Sequence, residues 1–311
     1  MSLFINNNTI DEKSQAKIQR IADRILYKEK LVAPVTEIYT ANSFRASAEE
    51  KAKRFSECGK YLEVDAETGQ IKKANFCKER LCPVCNYLKS CNNWRKIKAT
   101  IENIREKDKS LQFIFLTLTI KNCAPEELSD KIDQLLSGFK RLTNRKTWKA
   151  SITGTLRGLE ITYNPEQNTF HPHIHILASV PEKYFTDNYI TIEKLREWWK
   201  ESAKIDYFVQ VDIRATSGDD EAISEIAKYS IKTAEILKAN TPRQQLDAIS
   251  KMQKAVYGRR LIATTGIIKE TMRLLNLGDF DEVISGSEPI GENIKLIWSD
   301  NGKIFKEFKY E

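Results

Sequence analysis

The sequence predicts an α+β protein built around an antiparallel sheet, and three observations lead there. Four segments, at residues 115–120, 155–163, 170–177 and 208–214, alternate apolar and polar side chains with the period of a strand. Stretches of helical period, at 125–142, 192–202 and 221–237, lie between or after them. Each strand segment has one apolar and one polar face. That is the signature of an antiparallel sheet with helices packed on one face and the other face free.

The elements follow in order. Ile18, Ile21, Ala22, Ile25 and Leu26 recur at helical spacing and predict a helix over 12–30; a second spans 46–55. Residues 61–64 and 71–76 flank Ala66-Glu67-Thr68-Gly69 and form a hairpin between Cys58 and Cys77. A long basic helix over 86–107 carries Trp94, Arg95, Lys96 and Lys98. In the first strand Leu116, Leu118 and Ile120 oppose Thr117 and Thr119. In the second Leu159, Ile161 and Tyr163 oppose Gly158, Glu160 and Thr162. In the fourth Val209, Val211 and Ile213 oppose Gln210, Asp212 and Arg214. Helix 192–202 carries Trp198 and Trp199. After Asn240 come a helix to about 256, the basic Tyr257-Gly258-Arg259-Arg260, a helix over 267–275 and a hairpin at Asp300-Asn301-Gly302. Three regions result: an N-terminal helical, Cys-rich region (1–108), a sheet domain (109–240) and a C-terminal α/β extension (241–311).

Composition sets the outer bounds. Of 311 residues, 41% are hydrophobic and 30% charged, as in a soluble globular protein. No apolar run of about 18 residues exists to span a membrane. Residues 1–11 lack the basic region and apolar core of a signal peptide. With Cys82-Pro83-Val84-Cys85, this points to the reducing cytoplasm rather than a disulfide scaffold. The net charge of +7 permits an anionic partner.

The third strand concentrates the chemistry. The chain has only three histidines, and Phe170-His171-Pro172-His173-Ile174-His175 places all of them at alternate positions, on one face. If Asn164 pairs with Thr169 across Pro165-Glu166-Gln167-Asn168, then Glu160 faces His173 and Gly158 faces His175. Glu160, His173 and His175 then form a divalent-cation site, with Gly158 leaving room beside His175. A one-residue slip would bury Glu160 and expose Ile161, so the pattern resists it. His171, opposite Thr162, ranks below Glu160 as a ligand.

On the 221–237 helix, Ile223, Ile226, Ala227, Ser230, Ala234 and Leu237 form the apolar stripe, and Glu225, Lys228, Tyr229 and Lys232 lie opposite. Glu225 and Tyr229 are four apart and therefore neighbours. A phenol beside a carboxylate and two lysines is a candidate nucleophile with a base. Upstream, Cys77, Cys82 and Cys85 offer three thiolates within nine residues, and Cys58 or Cys91 completes a tetrahedral zinc set. Cys123 is left unpaired. Arg80, Lys78 and the following basic helix suggest that this module also touches DNA.

Phe115-Leu116-Thr117-Leu118-Thr119, then His171-Pro172-His173-Ile174-His175, then Glu225-x2-Lys228-Tyr229-x2-Lys232, in this order, resemble the three motifs of rolling-circle replication initiators of the HUH endonuclease superfamily. The single tyrosine preceded by Glu resembles the plasmid Rep subfamily of Gram-positive bacteria. The resemblance spans about residues 55–235 and extends loosely through Gly258-Arg259-Arg260-Leu261. It implies the RRM-like sheet of HUH nucleases and a bacterial cytoplasmic protein. It also implies Mg2+ or Mn2+ held by His173, His175 and Glu160, and a structural Zn2+. Tyr229 would attack a phosphate and remain joined to the DNA 5′ end, leaving a 3′-OH primer. Glu225 would activate water at termination, and Lys228 or Lys232 would hold phosphate or stabilise phenolate. Implied partners are the double-stranded plasmid origin with its extruded nick site, a host helicase, single-strand-binding protein and polymerase, and a second subunit. Phosphate contacts are expected from Arg141, Arg145, Lys146, Arg259 and Arg260. Two alternatives stand beside this: an HUH relaxase or transposase, and a non-catalytic zinc-dependent DNA-binding regulator. Relaxases usually place the tyrosine before the histidines, whereas here it follows them.

Overall fold

A computed structural model describes residues 11–42, 46–65, 70–227, 233–278, 280 and 293–307. The chain begins with α1 (Glu12–Asn42) and α2 (Ala46–Glu57). Strands β1 (Tyr61–Asp65) and β2 (Ile71–Ala74) pair antiparallel, and α3 (Pro83–Lys107) follows with proline in its first turn. Next come β3 (Gln112–Thr119), a 3-10 turn (Pro125–Glu127), α4 (Leu128–Thr143) and α5 (Lys146–Ser151). The hairpin β4 (Gly154–Asn164) and β5 (Thr169–Val180) leads to α6 (Tyr184–Asp187) and α7 (Ile192–Ala203). β6 (Val211–Thr216), α8 (Asp220–Ala227), α9 (Thr233–Ile236) and α10 (Pro242–Val256) continue the chain. β7 (Ile262–Thr265), α11 (Gly266–Leu274), β8 (Asn293–Ser299) and β9 (Ile304–Glu307) complete it.

The fold is mixed α+β with two antiparallel sheets, and the chain divides into two compact units. One comprises Met1–Lys89 and Val283–Glu311 and holds the sheet β2-β1-β8-β9. In it α1 runs beyond the expected residue 30 and through Pro34. Its buried stripe continues with Leu31, Val35, Ile38 and Tyr39, and that burial outweighs the proline's lost hydrogen bond.

The second unit, Ser90–Glu282, holds the sheet β6-β3-β5-β4-β7, so the histidine strand β5 is central. The β4–β5 register is the expected one: Asn164 pairs with Thr169, Glu160 with His173 and Gly158 with His175. Two details differ. A fifth strand, β7, pairs with β4; at four residues it shows too few alternations to read from sequence. The fourth strand is 211–216 rather than 208–214. The carbonyls of Val209 and Gln210 are instead taken by side chains, from Arg196 Nε (3.2 Å) and Thr119 Oγ1 (2.7 Å). Phe208 is out in solvent beneath the Arg196 guanidinium.

The expectation of helices on one sheet face only is overturned. On one face Leu116, Leu118, Leu159, Ile161, Ile174 and Ile176 are fully buried. Here α4 meets β5 and packs on α7, whose Trp199 indole donates to Thr119 O (2.7 Å). The opposite face carries Thr117, Thr119, His173, His175 and Glu160, but also Phe113, Phe115, Leu156 and Leu177. Those apolar residues occupy one end of it. Ile97, Ile101 and Ile104 of α3, Ala222, Ile223, Ile226 and Ala227 of α8, and Ile268 of α11 cover them. The face is polar only over its other half. An apolar half-face must find cover, and α8 supplies it next to the histidines.

Gly158 is what lets α8 come this close. A Cβ there would lie 3.2 Å from Ile226 O and 3.3 Å from Ile226 Cγ2. The glycine thus makes room for a helix backbone, in addition to space beside His175. Gly158→Val is expected to push α8 off the sheet and to destabilise the protein by about 1–3 kcal/mol. Urea unfolding checks this: an unchanged midpoint would contradict the close approach.

Candidate functional site

The pleat of β5 presents the histidine rings to one face, and the β4–β5 register brings Glu160 to them. Glu160 Oε2 lies 3.1 Å from His175 Nε2 and 3.5 Å from His173 Nε2. One ligand atom from each of Glu160, His173 and His175 falls within 4.8 Å of the others. Ligands at about 2.1 Å in neighbouring octahedral positions stand about 3 Å apart, so these donors suit one divalent ion. Glu160 and His173 are buried and His175 is nearly so.

The other ring nitrogens are occupied, which aims both Nε2 atoms at the same point. His173 Nδ1 donates to the His171 carbonyl (3.2 Å), and His175 Nδ1 bonds the Thr117 hydroxyl (3.1 Å). The β3–β5 pairing puts Thr117 directly opposite His175. In the sequence Thr117 is a polar member of an alternating strand and part of the Phe115–Thr119 motif; its contact with His175 follows from strand pairing. Phe115 packs on His175 with ring centroids 5.6 Å apart. His171 stands outside the trio. Its ring stacks on His173 at 5.1 Å, and burial, with the neighbouring His173, holds its imidazole below the ordinary value.

Glu225 reaches the same place from α8. Its Oε1 is 3.8 Å from His175 Nε2, on a half-buried side chain. The carboxylate four residues before Tyr229 therefore stands beside His175. Asp219 starts this helix by accepting from Ala222 N at 3.0 Å, and that contact lowers its carboxyl pKa. Lys98 of α3 pairs with Asp220 (3.1 Å) and lies over the Trp94 ring, adding polar contacts to the apolar α3–α8 packing. Of the expected 221–237 helix, α8 and α9 are the described parts. Lys228, Tyr229 and Lys232 lie outside the described residues.

In the other unit, Cys58, Cys77, Cys82 and Cys85 converge, all buried, with ligand atoms within 4.8 Å of one another. Cys58 is thus the fourth member, and Cys91 is not in the group. The β1–β2 hairpin returns the chain to Cys58, and Cys77 N donates to Cys58 Sγ (3.3 Å). Cys85 Sγ is 3.5 Å from Cys58 Sγ and 3.7 Å from Cys77 Sγ, and Cys82 Sγ is 3.6 Å from Cys58 Sγ. A tetrahedron of zinc–sulfur bonds near 2.3 Å has edges of about 3.8 Å, so the cluster has the dimensions of a zinc site. Hydrogen bonds from Cys58, Cys77 and Cys82 lower the Cys85 thiol pKa. Burial raises Cys82, and the bond to Cys58 raises Cys77. Cys123 stands apart in the second unit, and burial pushes its thiol up to about 11.

The basic candidates differ in their engagement. Arg141 Nε donates to Ser202 O (2.5 Å), and Arg145 pairs with Glu201 (2.7 Å) while lying over Trp198. Both tie α4 and the turn after it to α7. Arg259 pairs with Asp133 (2.7 Å) and bonds Ser129 Oγ. Lys146 and Arg260 are exposed. Arg260 lines a cleft with Ile262, Lys269, Met272 and Arg273. Among the described residues no helix is long and apolar enough to cross a membrane.

Comparison with known proteins bears on this arrangement. A family model described as "Replication protein" (Rep_1) matches residues 68–308. A "Protein rep" from a Bacillus species is 35% identical over 255 residues, 75% of this chain and 83% of the relative. A "Protein rep" from Streptococcus pneumoniae is 32% identical over 280 residues, covering 88% and 84%. One from Lactiplantibacillus plantarum is 30% identical over 292 residues, covering 90% and 88%. No solved structure matches the chain significantly. The matched span contains the histidine strand, Glu160, Glu225 and three of the four clustered cysteines, and the chain belongs to the Rep_1 family of replication proteins.

Proposed function

We propose that this chain is a plasmid rolling-circle replication initiator that nicks one strand of its origin as an HUH endonuclease. The observation that carries this is the convergence of His173 Nε2, His175 Nε2 and Glu160 Oε2 on one point, with Glu225 3.8 Å from His175. The five-stranded antiparallel sheet with the histidine strand at its centre supports the RRM-like architecture of such nucleases.

The donor set of two imidazoles and a carboxylate fits Mg2+ or Mn2+. When bound, such an ion supplies Lewis-acid polarisation of the scissile phosphate and offsets charge developing there. Tyr229 is the nucleophile. Its oxygen gives up its proton and bonds to phosphorus as the bond to the 3′ oxygen breaks, and the departing 3′ oxygen takes up a proton, leaving a 5′-phosphotyrosine and a 3′-OH. That hydroxyl primes a host polymerase, assisted by a helicase and a single-strand-binding protein. A phenolate, with a pKa near 10, is a tolerable leaving group, so the link is reversible. Glu225 accepts a proton from the water that attacks phosphorus in the terminating cleavage, a reading supported by its place 3.8 Å from His175. Lys228 and Lys232 steady the phosphate. The cleft holding Arg260, Lys269 and Arg273 offers cations for the DNA backbone beside an apolar floor. The four cysteines hold a structural zinc.

Incubation with labelled single-stranded origin DNA, in Mn2+ or EDTA, is expected to give a metal-dependent covalent protein–DNA band that Tyr229→Phe abolishes. A band surviving in Tyr229→Phe would place the nucleophile elsewhere. Duplex binding with no band on any origin-like strand would favour a non-catalytic regulator. Glu225→Ala is expected to form the first adduct but terminate poorly, and normal termination would remove Glu225 as the base. Thr117→Val leaves His175 Nδ1 without its partner and should weaken Mn2+ binding about 10-fold in a calorimetric titration. Equal affinity would show that Thr117 does not orient the ring.

A further inference from the structure

Lys28 lies on the apolar stripe of α1, at helical spacing from Ile21, Ile25, Leu31 and Val35, and is fully buried. A lysine there is expensive, since a buried ammonium without partners costs several kcal/mol. Its ammonium donates to two backbone carbonyls, Ser56 O at 2.6 Å and Cys58 O at 2.7 Å. Among the described residues no carboxylate pairs with it. One of its two acceptors is thus the carbonyl of Cys58 itself, a member of the buried four-cysteine group.

We infer that Lys28 is a positioning and charge-balancing residue for the cation held by the four cysteines. This rests on the zinc site proposed above. Four thiolates around one Zn2+ carry a net charge of 2−, wholly buried, because all four cysteines are. The Lys28 ammonium offsets half of that charge from within the same core. Its two hydrogen bonds also hold the turn at the end of α2, where Cys58 must present its sulfur between Ser56 and Gly59. Cys58 is thereby fixed from outside the metal's own shell, as outer hydrogen bonds fix other metal ligands. The cation and the thiolates explain each other: each is costly alone in this interior, and together they are paired.

The test uses the full chain and Co2+ as a spectroscopic stand-in for zinc. Thiolate-to-cobalt absorption is titrated in wild type and in Lys28→Gln, Lys28→Met and Lys28→Arg, and Zn2+ then competes. Lys28→Gln keeps a donor and loses the charge; Lys28→Arg keeps the charge. Both neutral variants are expected to bind metal about 10- to 100-fold more weakly, with Lys28→Arg closer to wild type. The rise in melting temperature between EDTA and Zn2+ should shrink in Lys28→Gln. A purely structural lysine would lower both temperatures equally and leave that rise intact. Should Lys28→Met fail to fold, Lys28→Gln decides. Wild-type metal affinity and an undiminished rise in Lys28→Gln would overturn the inference while leaving the zinc site standing. No cobalt absorption in the wild type would overturn the zinc site and this inference with it.

Discussion

The pairing register of β4 with β5 is the constraint on which the candidate active site depends. It is set at the hairpin, where Asn164 Oδ1 accepts from the amides of Glu166 and Gln167 at 3.0 Å each. Asn168 takes a left-handed conformation there, and Tyr163 OH donates to its side chain (2.7 Å). From that turn, alternation does the rest: Glu160 opposite His173, Gly158 opposite His175. A slip of β4 by one residue would turn the Glu160 carboxylate onto the face of Ile174 and Ile176 and turn Leu159 and Ile161 onto the histidine face, costing both ways. The same logic on the other side of β5 pairs Thr117 with His175 and so controls which ring nitrogen faces Glu160.

The second element of the site is a helix seated on the histidine face. α8 is there because Phe113, Phe115, Leu156 and Leu177 make half of that face apolar, and Gly158 removes the one Cβ that would hold it off. Glu225 then arrives beside His175 from the helix and Glu160 from the sheet. Two carboxylates and two imidazoles, mostly removed from water, form a centre whose electrostatics are stronger than on an open surface. A nearby cation is well matched to such a centre.

The four-cysteine cluster follows a comparable rule in the other unit. Thiols that converge to 3.5–3.7 Å inside a core form a polar knot among apolar neighbours, and the chain places a buried ammonium against it. Among the described residues Lys28 is the one charged side chain buried in the stripe of α1, and it holds the carbonyl of Cys58. A charged residue in the middle of an apolar stripe is a sequence signal for a buried partner of opposite charge.

Much of this was legible in the chain before any tertiary contact was known. Period-two alternation located four of the five strands of the larger sheet, because around the histidines their side chains divide between an apolar and a polar face; it missed the apolar end of the polar face, where Phe113, Phe115, Leu156 and Leu177 lie. Hairpin length and pattern sufficed for the register, and so for Glu160 with His173 and His175. Cysteine spacing located three members of the cluster but left Cys58 and Cys91 open. Only the fold of the β1–β2 hairpin chose Cys58, since distance in sequence does not say which sulfur returns. Covering the histidine face with α8, the approach of Glu225 and the burial of Lys28 were decided by tertiary structure alone. The sequence by itself determined what each residue could do and which local partners it would meet, because those depend on a period and a turn. The tertiary structure decided which remote elements meet, because that depends on how apolar area left over by each sheet and helix is buried against the others.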